Sequence, residues 1–343
     1  MEPDTLRPIT DEALDAERLG NWDAAEEAYR RLFRAAQVAQ RVPDMVDALR
    51  GGARIRRIQG RWELAEELAE LSREIAERHG LHAAAARAVN ILALVRYSQQ
   101  DWPAARTLFL DALERARDLG DDELIGFACQ NAGVASYYLG DLREARTLYL
   151  ESIGSFVRSR AADSAPLAYN NLGLVCCDLG EWMEAEIYFG RGIEIAERLG
   201  RSPLLARLHA NRAEPLACVG DLSRARESLD RAEAVARELR DDGVLTDVER
   251  LRGTVALRGG DLARAAEHLE RSLSMAEAAG MQLERAQALR EIGRLREAEG
   301  RREEGRAAYR EARETFAALG ASLDVLRTDG LLRGLEGTVS ATG

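Results

Sequence analysis

Residue types that could do chemistry are sparse in this 343-residue chain, and few of them stand at working spacings. The four histidines are His79, His82, His209 and His268, and no two form an HExxH or comparable set. Taken singly, they read as solvated or half-buried side chains. Cys129, Cys176, Cys177 and Cys218 could in principle join His209 around a zinc ion, but small buried core fillers are the better reading. A Cys–His nucleophile lacks an orienting third group. The sequence contains no lysine, so all 48 basic residues are arginine, which excludes a Walker A loop and a lysine Schiff base. Neither metal nor cofactor is expected, and the chain is not expected to be an enzyme.

What does recur with spacing is arginine, side-chain amide and aromatic. Arg50, Arg54 and Arg57 lie four and three residues apart, on one face of a helix. Asn90, Gln130 and Asn170 follow one another at intervals of forty, with Asn131, Asn171 and Asn211 on a neighbouring row. An amide offers both donors and an acceptor, so such a ladder can clamp the backbone of an extended peptide without reading its sequence. The competing use is a bond to the next helix of the same chain. Tyr97, Phe127 and Tyr137 add aromatic surface of the kind that, with arginine, forms interaction hot spots. Arg250, Thr254, Arg290 and Arg294 continue the rows toward the C-terminus.

The elements that position these residues are internal repeats. Marks placed every forty residues from Gly20 fall on Gly60, Gln100, Gly140, Gly180, Gly220, Gly260 and Gly300. Asn21, Asp101, Asp141, Asp221 and Asp261 follow their marks directly and suit helix N-caps. Alanine stands five residues after the mark from Ala25 to Ala265, and a small residue stands seven before it from Ala13 to Gly293. Aromatics at Tyr29, Phe109, Tyr149, Phe189 and Tyr309 complete the pattern. A second glycine set (Gly80, Gly120, Gly200, Gly280, Gly320) lies halfway between marks. Each unit therefore reads as helix, tight turn, helix, loop, with small residues allowing close helix approach beside an aromatic.

The segments YNNLGLVCCDLGEWMEAEIYF (169–189) and QNAGVASYYLGDLREARTLYL (130–150) resemble the tetratricopeptide repeat family, W-x2-L-G-x2-Y…A-x3-F. The unit is forty residues rather than 34, with the six extra residues expected in the second helix and its exit loop. The resemblance implies an all-α, right-handed α-solenoid of about eight repeats whose first helices line a concave groove. Repeats are expected near 9–40, 41–80, 81–120, 121–160, 161–200, 201–240, 241–280 and 281–320. One solenoid domain over 1–335 would end in a capping helix at 321–335, with Leu323, Leu326 and Leu331 inward, and a flexible tail at 336–343. Pro8 is expected to delay the first helix to about Thr10, and Pro215, inside a first helix, marks either a tolerated kink or a hinge.

Composition agrees with this class: 46% apolar, 31% charged and only 5% aromatic residues favour helix. A net charge of -11 disfavours a nucleic-acid binder, although the repeat 2 arginines keep RNA open. An acidic N-terminus without an apolar core, no apolar run of 18 residues and adjacent Cys176–Cys177 point to a cytoplasmic protein without a membrane partner. The lysine-free, alanine-rich usage suggests a bacterial GC-rich genome. The expected function is a non-catalytic module binding a protein segment or peptide with apolar anchors and acidic flanks. Arg50, Arg54, Arg57, Asn90, Tyr97, Phe127, Gln130, Tyr137 and Asn170 would carry that binding. The alternative is an architectural scaffold that assembles, or self-associates, through its outer faces.

Overall fold

Every twentieth residue from Gly20 to Gly320 adopts a left-handed backbone conformation, with φ between 52° and 97°. Twelve of these positions are glycine, and the others are Gln40, Gln100, Arg160 and Arg240. A right-handed helix cannot continue through such a residue, so the chain reverses there. The computed structural model describes residues 6–200 and 203–337, and its regular structure is helical throughout. The first helices are α1 (Arg7–Arg18), α3 (Val42–Ile58), α5 (His82–Ser98), α7 (Asp122–Tyr138), α9 (Pro166–Asp178), α11 (Pro203–Cys218), α13 (Asp242–Arg258) and α15 (Gln282–Ala298). They alternate with second helices α2 (Trp22–Val38), α4 (Trp62–Arg78), α6 (Trp102–Leu119), α8 (Leu142–Arg158), α10 (Trp182–Leu199), α12 (Leu222–Leu239), α14 (Leu262–Ala278) and α16 (Arg302–Ala318). A last helix, α17 (Ser322–Gly337), follows, and a 3-10 turn (Ala162–Ser164) precedes α9.

The caps follow the residue types. Asn21, Asp101, Asp141, Asp221 and Asp261 each accept a backbone N–H three residues on, at 3.1–3.2 Å. Asp121 and Asp241 do the same at the other connector. First and second helices are of similar length, mostly 17 or 18 residues. The six extra residues are therefore not concentrated in the second helix and exit loop, because a left-handed residue ends both helices. The first helix starts at Arg7, with Pro8 in its first turn where no N–H is needed, rather than near Thr10.

Packing divides the chain into two units. One comprises residues up to Ser136 with Gly154–Arg160, the other Tyr137–Ile153 with Ala161 onward. In the second unit α9, α11, α13 and α15 pack on one another in sequence, while among the described helix pairs no two second helices pack comparably. The first helices thus form the inner layer of that unit. In repeats 5 and 8 the aromatic column closes on the small column. A Cβ on Gly173 would lie 2.6 Å from the Phe189 ring, and one on Gly293 2.5 Å from Tyr309. Phe189 and Tyr309 are fully buried, each worth about 1.5–3 kcal/mol of apolar transfer. The alanine column from Ala25 to Ala265 is completely buried beside them.

α11 runs unbroken through the buried Pro215, whose carbonyl still accepts from Val219 N at 3.0 Å. The division between the units falls between Ser136 and Ala161, not at Pro215. In α17 the inward residues are Thr328 and Leu335, not Leu326, which is 59% exposed, while Leu323 and Leu331 are half-buried. The helix reaches Gly337, and 338–343 of the expected tail lie outside the described residues.

Two stability changes follow. Gln100→Gly should raise the unfolding free energy by about 0.5–1 kcal/mol, because it removes the side-chain penalty of a left-handed residue. Gly173→Ala should lower it by about 1–3 kcal/mol through overpacking against Phe189. Urea titrations followed by circular dichroism check both.

Candidate functional site

In the first unit, α3 and α5 lie side by side, and α3 carries the arginine stripe. Arg54 is spent internally: it bonds Glu17 through Nε and Nη2 at 3.1 and 2.5 Å, and the Tyr29 hydroxyl at 3.0 Å. Burial opposes its charge, but Glu17 outweighs burial and raises its pKa. Arg50 and Arg57 differ. Arg50 pairs with Asp47 at 2.9 Å, yet its Nη1 is buried without a hydrogen-bond partner. Arg57 donates to Ser98 Oγ at 3.2 Å, and its Nε is likewise buried and unpartnered. Burial, then neighbouring guanidiniums, push both below the usual arginine range; Asp47 only partly offsets this at Arg50. The stripe is thus a cationic surface that the chain itself does not fully neutralise.

The amides are used within the chain. Asn131 Nδ2 donates to Asn90 Oδ1 at 3.0 Å, joining α7 to α5. Asn211 Nδ2 donates to Asn170 Oδ1 at 2.9 Å, joining α11 to α9 in the second unit. Asn170 is buried and also donates to Asn171. Gln130 is buried, and its Oε1 has no partner among the described residues. Tyr97 stacks edge-on against Trp102 at 4.9 Å, and Phe127, 38% exposed, stacks edge-on against Phe156 at 5.0 Å. Arg50, Arg54, Arg57, Asn90, Tyr97, Phe127 and Gln130 thus belong to the first unit, and Tyr137 and Asn170 to the second.

The second unit holds a pocket of about 510 Å³ on its first-helix face. Arg250, Arg290, Arg294, Glu291, Glu214 and Asp178 line it, as do Leu323, Leu326 and Arg327 of α17. Arg294 Nη1 bonds both oxygens of Glu291 at 3.0 Å. Burial raises the Glu291 pKa, but Arg294, Arg290 and Arg250 outweigh it and hold the carboxyl below its ordinary range. Arg290 Nη1 reaches Asp324 of α17 at 2.6 Å. Arg327 pairs with Asp178 of α9 and donates to the Tyr137 hydroxyl at 2.9 Å. Tyr137 is therefore engaged by the C-terminal helix. Burial still pushes Asp178 above the usual carboxylate range, and its Oδ2 lacks a partner.

Sequence reasoning missed Asp178, Asp324 and Arg327. The signal was present: five forty-residue steps after Phe127 the ruler lands on Arg327, once α17 is read as a ninth first helix. The repeat 8 arginines pair with local glutamates, as their sequence suggests, through Arg294–Glu291, Arg296–Glu299, Arg301–Glu304 and Arg306–Glu303.

Burial pushes the Cys176 thiol up to about 12 and raises Cys177 and Cys218 as well. These thiols are protonated at neutral pH, unlike reactive cysteines. Among the described residues no three His, Cys, Asp or Glu side chains gather as metal ligands, and no helix is long and apolar enough to cross a membrane.

Two family models described as tetratricopeptide repeat match residues 10–78 and 164–238. Among solved structures, the apo form of the quorum sensor NprR from B. thuringiensis has a TM-score of 0.66 and 16% identity, covering 92% of this chain and 89% of that one. The Rap conjugation gene regulator of plasmid pLS20, in complex with the Phr* peptide, has a TM-score of 0.57 and 14% identity, over 83% and 79%. A Rap protein complexed with Competence and Sporulation Factor has a TM-score of 0.56 and 21% identity, over 78% and 74%. No curated protein matches the chain.

One titration follows from this geometry. His209 on α11 is buried, its Nδ1 is unpartnered, and Glu197 is 4.0 Å away. Burial, then Arg231 and Arg212, lower its pKa from 6.5 to about 4. The unfolded chain therefore binds a proton in that window that the folded chain refuses. Stability should be full above pH 6.5 and fall toward pH 4, by about 3 kcal/mol in total. In His209→Gln this component should vanish from urea midpoints measured at pH 7 and pH 4.5.

Proposed function

We propose that this chain, a member of the tetratricopeptide-repeat family, is a non-catalytic interaction module holding a peptide or extended protein segment against its first helices. It would serve as an adaptor or as a regulatory partner of another chain. The observation that carries the reading is the α3 stripe, where buried guanidinium nitrogens of Arg50 and Arg57 lack partners. Asp47 offsets the burial of Arg50 only in part and Arg57 meets no carboxylate among the described residues, so an incoming carboxylate would relieve the cost of burying these charges. The half-buried Tyr97 and the 38% exposed Phe127 supply apolar contact in the same unit. The ligand class is accordingly a segment with apolar anchors and acidic flanks. The pLS20 regulator, which shares the fold, was solved holding a peptide, and this supports a segment as the ligand.

The exposed pair Met183 and Ile187, 60% and 52% exposed and one turn apart on α10, favours a second reading, assembly through the outer faces.

The test is affinity capture from the native lysate, followed by binding measurements with the identified segment, using wild type and Arg50→Gln/Arg57→Gln. The variant should be as stable as wild type, or more stable by about 1 kcal/mol, because it sheds under-neutralised buried charge. It should nonetheless bind the segment at least tenfold more weakly. Undiminished binding would move the interaction off this face. A mass that rises with concentration in light scattering, and is lost in Met183→Glu/Ile187→Glu, would support the scaffold.

A further inference from the structure

The C-terminal helix is joined to the second unit in a way that a plain end-cap does not require. A cap needs to cover only α16, with which α17 does pack. α17 also carries Arg327 back to Asp178 and Tyr137, the latter 190 residues away in sequence. Asp324 meanwhile takes Arg290 of α15. α17 thereby ties the two ends of the row α9, α11, α13 and α15 together and forms one wall of the 510 Å³ pocket.

Its seat is part apolar, with Ala321 and Val325 packed against Ala286, Leu289, Ala312 and Phe316, and part polar. Among its side chains described, only Thr328 and Leu335 are buried. Gly330 and Gly334 interrupt it, and a Cβ at Gly330 would meet nothing within 4 Å. Glycine inside a helix weakens it, and segments with few buried apolar contacts open first. Leu326 is 59% exposed where it lines the pocket, and Asp178 Oδ2 has no donor. A segment that covered the leucine position and gave Asp178 Oδ2 a hydrogen bond would fit better than α17 does.

We infer that α17 is a displaceable internal occupant of the first-helix face that bounds this pocket, and that its Leu323–Leu326–Arg327 face is the pattern a displacing partner carries. Those residues stand at i, i+3 and i+4, so the partner class is a helical segment with two leucines one turn apart followed by a cation. The inference rests on the first helices being the binding surface. The apparent affinity for such a segment scales with the fraction of time α17 leaves that face uncovered.

The test uses the full chain as wild type, Arg327→Gln and the charge swap Asp178→Arg/Arg327→Asp. Hydrogen exchange should speed up at least tenfold across α17 in Arg327→Gln, while α13 to α16 stay protected. The swap should restore protection. A fluorescein-labelled synthetic peptide of residues 321–337 should bind Arg327→Gln at least tenfold more tightly than it binds wild type or the swap. Unchanged exchange in α17, or equal peptide binding by all three chains, would overturn the latch. Loss of protection throughout α13 to α16 would also overturn it, because α17 would then be a structural cap. A latch confirmed here alongside undiminished segment binding by Arg50→Gln/Arg57→Gln would sink the α3 reading alone.

Discussion

A left-handed residue at every twentieth position is the constraint on which this structure depends. It ends each helix, sets the helix length, and places equivalent side chains of successive repeats in register. Because first and second helices are ended by the same device, both are near 17 residues, and a side chain at one position in a first helix recurs forty residues later beside its predecessor. The amide bonds Asn131–Asn90 and Asn211–Asn170 express that register, each spanning 41 residues. Gln40, Gln100, Arg160 and Arg240 occupy the same strained region without glycine's freedom. At those positions packing of the flanking helices, not local preference, fixes the turn.

The repeat architecture was legible because its determinants are local. Glycine, cap and small-residue columns act within a few residues or within one helical hairpin, and each recurs enough times to be read without alignment. Gly173 beneath Phe189 and Gly293 beneath Tyr309 show why the small column exists. The site was only partly legible, because helical spacing fixes which face a side chain occupies but not what neutralises it. Arg54 and Arg57 share a stripe, yet Arg54 meets Glu17 while Arg57 meets no carboxylate. The asparagines were legible as a ladder, and the ladder turned out to bind itself. α17 was the least legible element, because a cap and an occupant have the same sequence pattern. Arg327 met Asp178 through folding at a distance that no periodicity encodes.

The arginines at one repeat position make the difference between the two units concrete. Arg50, Arg250 and Arg290 are equivalent by the forty-residue ruler. Arg50 and Arg250 each pair with an aspartate three residues earlier, Asp47 and Asp247, at 2.9 and 3.0 Å. Arg250 is further stabilised by Glu291, and its pKa is raised despite burial. Arg290 obtains Asp324 from α17. Arg50 has no comparable second carboxylate; its neighbours Arg54 and Arg87 add positive charge, and its pKa is lowered. Where the chain folds its own extra helix against this row, a carboxylate arrives at the arginine. Where it does not, the arginine has only its local aspartate; a buried nitrogen without a hydrogen-bond partner is common to both, at Arg50 Nη1 and Arg290 Nε.

That comparison specifies what the first unit requires. Asp324 reaches Arg290 from a helix laid against the first-helix row, and the same helix brings leucines to the pocket. A segment meeting Arg50 in the equivalent way would place a carboxylate over α3, in the unit that also holds Phe127 and Tyr97. The electrostatic part of such an interaction sits in a partly desolvated stripe, where it is less screened than an exposed pair and leaving it unmade is more costly. Arg57, with a serine hydroxyl as its contact and no carboxylate at hand among the described residues, extends the same demand about two turns further along the helix. The acid the stripe calls for is therefore more than a single charge. Two carboxylates about two turns apart, or an acidic run of that length, match Arg50 and Arg57, while Arg54 between them is already held by Glu17.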